Sequence, residues 1–202
     1  MVELDFLRKA FCTKWRVPEG SFTVKFGCFL PFVPPTDNKT YACGRALVQQ
    51  PREGSCHVRF MAFKQVRQPQ CRPPNIWCPP QTESEQEAIV RDVLDSVQWK
   101  AVPFFALVED LDRFLGDLLS QDDHIGEEGI WGIGKIGSFR RLYITGFTAL
   151  EAEKWTLAAE ALRGCKKKAA SISIGGRGEI MECIQHAIEL AEQHRPLGSV
   201  IN

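Results

Sequence analysis

From Ser21 the chain alternates with a period of two: Phe22, Val24, Phe26, Cys28, Leu30 and Phe32 are separated by Thr23, Lys25 and Gly27. Successive side chains of a strand point to opposite faces, so this spacing predicts a long half-buried strand over 21–33. A weaker strand is expected from Thr40 to Val48, between the turn-forming runs Pro34-Pro35-Thr36-Asp37-Asn38 and Pro51-Arg52-Glu53-Gly54. A third is expected from His57 to Val66, with Val58, Phe60 and Ala62 on one side and Arg59 on the other. Ahead of these, Leu4, Phe6, Leu7, Phe11 and Trp15 mix with Arg8, Lys9, Lys14 and Arg16, which suits a short helix or arm with a basic edge.

Beyond the proline-rich stretch 67–83, which reads as an extended loop, the spacing turns helical. Ser84-x-x-Glu87 has the form of a capping box, opening a helix with Ile89, Val90, Val93, Leu94 and Val97 on one face. Trp99 to Val108 has the composition of a buried strand. Leu111, Phe114, Leu115, Leu118 and Leu119 then form an amphipathic helical stripe to about residue 120. A glycine-dense segment, 126–137, leads to a strand-like run through Leu142-Tyr143-Ile144. Thr148-x-x-Glu151 offers a second capping box, with Ala152, Trp155, Ala159 and Leu162 facing inward. Lys166-Lys167-Lys168 reads as a solvated turn before a short strand, Ala169 to Ile174. Gly175-Gly176-Arg177-Gly178 enters a last helix with Ile180, Ile184, Ile188 and Ala191 inside, ended by Pro196. The order of elements predicts an α+β chain: a ferredoxin-like (RRM-like) antiparallel sheet over 1–146 with helices on one face, then a C-terminal helical or βα extension over 147–202.

Composition narrows the classes of function. Lys+Arg and Asp+Glu stand at 25 each, so no global cationic field attracts nucleic acid or anionic lipid, and any polyanion site must be local. Apolar runs fall far short of the roughly 18 residues of a membrane helix. The first residues place acids where a secretory leader carries positive charge. The expectation is therefore a soluble, cytoplasmic chain without membrane contact.

In such a compartment the 8 cysteines are expected reduced rather than paired. Cys71 and Cys78, with Cys56 and His57 upstream, are a loosely spaced zinc candidate, the basis for a zinc-stapled scaffold reading. Cys165 and Cys183 look like plain core. No cofactor motif and no nucleophile elbow is present, and the chain is expected to be non-catalytic. Among the 4 histidines, His57 and His124 are the candidates for general acid–base work, whereas His186 and His194 belong to the flank of the last helix. Asp122 and Asp123 read as a solvated loop.

The glycine segment holds the most chemistry. Gly126, Gly129, Gly132, Gly134 and Gly137 supply backbone that can take positive φ and approach another molecule closely. Amides exposed by such a loop can cradle phosphate oxygens. Lys135, Arg140 and Arg141 add charge beside it, and Trp131 offers a face on which a base can stack. The bland alternative is a glycine-rich hairpin that lets two strands cross.

The run from Leu111 to Tyr143 resembles the glycine-rich loop of the RAMP superfamily, the ferredoxin-like proteins of CRISPR effector backbones: a helix ending in Leu118-Leu119, an Ile-Gly step, then Gly-x-x-Gly-x-Gly-Lys-Ile before a strand. The resemblance implies an RNA-binding subunit of a CRISPR effector ribonucleoprotein. Its partners would be guide RNA, other subunits and target DNA, with the five glycines shaping the contact and Lys135, Arg140 and Arg141 touching phosphates. It also implies an alternative, a metal-independent endoribonuclease that processes guide RNA. Glu127 and Glu128 depart from the basic residues of some relatives. A second likeness, over 140–195, is to the Alba nucleic-acid-binding core, though its final hairpin is missing. Independently of family, Gly175 to Gly178 before a helix, with Arg177 and the lysine triplet, has the form of an anion site.

Overall fold

The computed structural model describes residues 2–6, 11–12, 15–16, 19–34, 57–71, 73–120, 130–131, 135–171 and 177–197. Strands β1 (Val2–Phe6), β4 (Phe22–Cys28), β5 (Val58–Met61) and β6 (Ile130–Trp131) form one antiparallel sheet in that order, and β2 (Phe11–Cys12) pairs with β3 (Trp15–Arg16) as a separate ribbon. The register runs Val2↔Phe26 to Phe6↔Phe22, then Lys25↔Met61 to Cys28↔Val58, then Arg59↔Trp131. The alternation read along 21–33 is real over 22–28: Val24 and Phe26 are fully buried, and Phe22 and Cys28 pack at the margin of the same core. The weak strand expected at 40–48 lies outside the described residues. Residues 2–6 are a strand, not a helix.

The ferredoxin-like prediction is overturned. Most of the described chain is helical, and among the described residues the strands follow one another as antiparallel neighbours, without the parallel βαβ crossovers that define a ferredoxin-like core. Two apolar runs expected as strands are helices. The first, 99–108, is a π-helical turn (Val97–Ala101) followed by α2 (Val102–Glu109), both continuing α1 (Glu83–Ser96). The second, around 142–144, lies in α4 (Phe139–Glu151). A helix buried on every side has no polar face, so its sequence carries no 3.6-residue period. That describes α4, in which every residue from Tyr143 to Leu150 is buried.

The π-turn has a packing reason. An α-helix advances about 100° per residue, and the Val102 amide bonds to the Val97 carbonyl five residues back, which inserts one residue into the turn. That extra residue keeps Ala101, Phe104 and Val108, all buried, on the same side as buried Ile89, Asp92 and Ser96. Without it the second set would swing away by about 100°. The face expected for α1 is accordingly split: Ile89 is buried, Val93 and Val97 pack on the core, and Val90 and Leu94 are exposed. Helix α1 begins two residues earlier than expected, with Thr82 as the capping side chain accepting from the Glu85 amide at 3.1 Å, while Glu85 accepts in return from the Gln81 amide at 2.7 Å.

Helix α3 (Leu111–Leu119) is capped by Asp110 and buries Phe114, Leu115 and Leu118 of the expected stripe, whereas Leu119 is exposed. Helices α5 (Trp155–Ser171) and α6 (Arg177–Glu192) complete the core with Leu162, Cys165, Ile180 and Ile184. Thr148 belongs to α4 rather than capping α5. The chain reverses instead through Glu153 at φ +56°, where the Lys154 amide returns to the Ala149 carbonyl at 2.8 Å, the six-to-one bond of a Schellman turn. The lysine triplet is part of α5, and so are Ala169 to Ser171, expected as strand. The 146/147 division falls inside α4, and a single apolar cluster includes Val24 and Phe26 of the sheet together with Phe147, Leu162 and Ile184.

Candidate nucleic-acid interface

The described residues of the segment 126–137 fall at two places. On one side β6, within the segment, closes the sheet, with Trp131 opposite Arg59. On the other, α4 starts behind a tight turn in which the Ser138 amide donates to the Lys135 carbonyl at 2.9 Å. Ser138 caps the helix, its Oγ accepting from the Arg141 amide. Gly137 stands between them at φ +67°, a conformation that is cheap for glycine and strained for other residues. Gly126, Gly129, Gly132 and Gly134 lie outside the described residues, as do His124, Asp122, Asp123, Glu127 and Glu128.

The three cations separate sharply. Lys135 is exposed, ahead of the first turn of α4, which carries no acid. Arg140 points back to the sheet, its Nη2 donating to the His57 carbonyl at 3.0 Å. Arg141 is 3% exposed and turned inward, with Nε donating to the Leu118 carbonyl at 2.9 Å and Nη2 to the Ser120 carbonyl at 2.9 Å. The last carbonyls of a helix lack partners inside it, so Arg141 closes the end of α3. Together the two arginines lock the start of α4 to the sheet and to α3. They build the frame for the segment, and Lys135 is the cation that this frame presents outward. The local signal for this was the serine at 138 before a helical run, an N-cap signature. The long-range bonds left no local signal.

His57 does not suit general acid–base work on a bound strand. It is 6% exposed, its Nδ1 accepts from the Leu30 amide at 3.0 Å, and its ring lies 4.9 Å from that of Phe29. His186 and His194 are exposed, and His194 stacks on Trp155 with centroids 5.9 Å apart.

The cysteines also differ from expectation. Cys71 and Cys78 form a disulfide, so they are not zinc ligands in this structure, and Cys56 lies outside the described residues. Among the described residues no cluster of His, Cys, Asp or Glu could hold a metal ion. Cys165 is core, as expected, and burial pushes its thiol up to about 12. Of the second basic group, Lys166 donates to Gln185 Oε1 at 2.7 Å. Residues 172–176 lie outside the described residues, and the Alba-like order fails because 140–144 is helix. Among the described residues no helix is long and apolar enough to cross a membrane.

A scan of family models, a search of curated proteins and a search of solved structures each found no match to this chain.

Proposed function

We propose that this chain binds RNA as a non-catalytic subunit of a ribonucleoprotein of the CRISPR effector kind, gripping the sugar–phosphate backbone with the segment 126–137. The observation that carries the reading is local: exposed Lys135 and positive-φ Gly137 stand directly before the amide-bearing N-terminus of α4. The positive end of the α4 dipole favours phosphate oxygens beside Lys135, while Ser138 already holds the Arg141 amide. The resemblance supports the same assignment only over Leu111 to Gly137, because the strand it expects next is the helix α4 and the ferredoxin-like fold is absent. Arg140 and Arg141 act here by holding the frame, and the expected contacts fall to Lys135, Trp131 and the backbone of the glycine segment.

Fluorescence anisotropy with labelled single-stranded repeat RNA tests this. Binding should weaken steeply with salt, because each phosphate contact releases counterion. Lys135→Glu should weaken it about tenfold or more and lower the salt slope by about 0.7, the value for one contact on a single strand. Absence of binding at low salt, or binding that ignores Lys135→Glu and Trp131→Ala, would overturn the proposal.

A further inference from the structure

Four of the large apolar side chains most open to solvent among the described residues belong to one continuous element: Val90 at 52%, Leu94 at 61%, Trp99 at 71% and Val102 at 57%. Isolated exposed apolar residues are ordinary, but an aligned set marks a contact surface. The π-turn aligns three of the four, Val90, Leu94 and Val102. Val90 and Leu94 are one helical turn apart, and the residue inserted between 97 and 102 returns Val102 to within roughly 20° of both directions. The same insertion that preserves the buried face thus draws an apolar stripe down the outer one, with Trp99 on the turn beside it. A shallow cavity of about 420 Å³ borders the stripe, lined by Glu83, Gln86, Glu87 and Arg91 besides Val90 and Leu94.

The charges around the stripe indicate the occupant. Glu83 and Glu87 mark its beginning, and Arg91 and Asp95 flank its middle, all exposed. Laid parallel, two such helices would set like charges side by side. Laid antiparallel, with a two-fold axis passing beside Leu94, they set Arg91 against Asp95 along the flank of the stripe. A closed two-fold interface must be complementary to itself in this reversed sense. We propose that α1 and α2 form a homodimer interface, on which a second copy of this chain packs antiparallel over the Val90, Leu94 and Val102 stripe. The inference stands apart from the RNA reading, since it concerns a different face.

Sedimentation equilibrium on the full chain over a concentration series provides the test. The account expects a species of twice the 22.8 kDa chain mass. Val90→Glu with Leu94→Glu should leave only monomer, with thermal unfolding of the monomer unchanged because both side chains are exposed in it. Arg91→Glu should weaken dimerisation about tenfold by setting like charges together, and Arg91→Glu with Asp95→Arg should restore it, because the swap keeps opposite signs across the axis. A monomer at every concentration up to about 100 μM, a dimer that survives the double glutamate variant, or a charge swap that fails to rescue would each overturn the proposal.

Discussion

The helical half and the loop 62–82 are held by a different balance of forces. Helices α4 and α5 meet through apolar side chains and one very small residue. At Gly146 an added Cβ would come within 2.6 Å of Leu162 Cγ, so glycine permits the approach of the two helices. The loop gives Trp77 to the apolar core and gathers Cys71, Ile76 and Cys78 in a small cluster, and polar groups around one buried carboxylate organise the rest. Asp92 accepts from the amides of Gln65 at 2.9 Å and Val66 at 3.3 Å and from Trp77 Nε1 at 2.9 Å. Gln68 adds a two-way bridge to Cys78, donating to its carbonyl and accepting from its amide, each at 3.0 Å. Trp77 joins loop to sheet by exchanging backbone bonds with Phe22 at 2.9 Å each way. Burial stabilises the first region with little regard to identity, whereas in the second each donor depends on a particular acceptor.

That contrast breaks most severely at Asp92. Asp92→Ala strands the buried Trp77 indole donor and removes the acceptor of two part-buried amides, and should cost about 2–4 kcal/mol in urea unfolding, since each unsatisfied buried group costs about 1–3 kcal/mol. A loss below 1 kcal/mol would show that the loop does not depend on that carboxylate. Cys71→Ser with Cys78→Ser should cost about 2.5 kcal/mol, the chain-entropy value for a cross-link spanning 7 residues. A dithiol reductant should reproduce that loss in the parent chain and add nothing to the variant.

In the helical region Gly146→Ala should cost about 1–3 kcal/mol by overpacking Leu162, and Leu162→Ala in the same chain should relieve the clash, giving a non-additive pair. Glu153→Gly should act in the other direction, stabilising by about 0.5–1 kcal/mol because the turn after α4 needs positive φ. The smallest effect concerns pH. Bonds from the Gln81 amide, then from Gln68 and Gln70, hold the Glu85 carboxyl below its ordinary value. A carboxylate lowered by folding contributes stability above its unfolded value and loses it as pH falls through the folded one. Melting temperature should therefore drop more between pH 5 and pH 3 (about the range below ordinary glutamate) for the parent chain than for Glu85→Gln.

What could be read from the sequence follows the same division. Helices α3 and α6 keep one wet face, so Phe114-Leu115-Leu118 and Ile180-Ile184-Ile188 appear at the helical spacing and bury as expected. In α4 the stretch from Tyr143 to Leu150 is buried throughout and has no wet face to mark it as helix, and its β-branched and aromatic residues imitate a strand. Two overlapping capping signatures, Thr82-x-x-Glu85 and Ser84-x-x-Glu87, compete at α1, and the carboxylate that can reach Gln81, Gln68 and Gln70 marks the one used. The partners of Asp92, Arg140 and Arg141 are far away in the chain. Those three residues carry ordinary surface identities, so nothing local distinguished a framing arginine from a phosphate-binding one.

Photochemical cross-linking of bound RNA, followed by mass spectrometry of the peptides, tests the central assignment most directly. A nucleotide adduct is expected on the peptide that contains Trp131 and Lys135, and it should disappear when unlabelled RNA competes. Adducts confined to other peptides, or a chain that acquires none while remaining folded, would contradict the view that this segment is where the protein meets RNA.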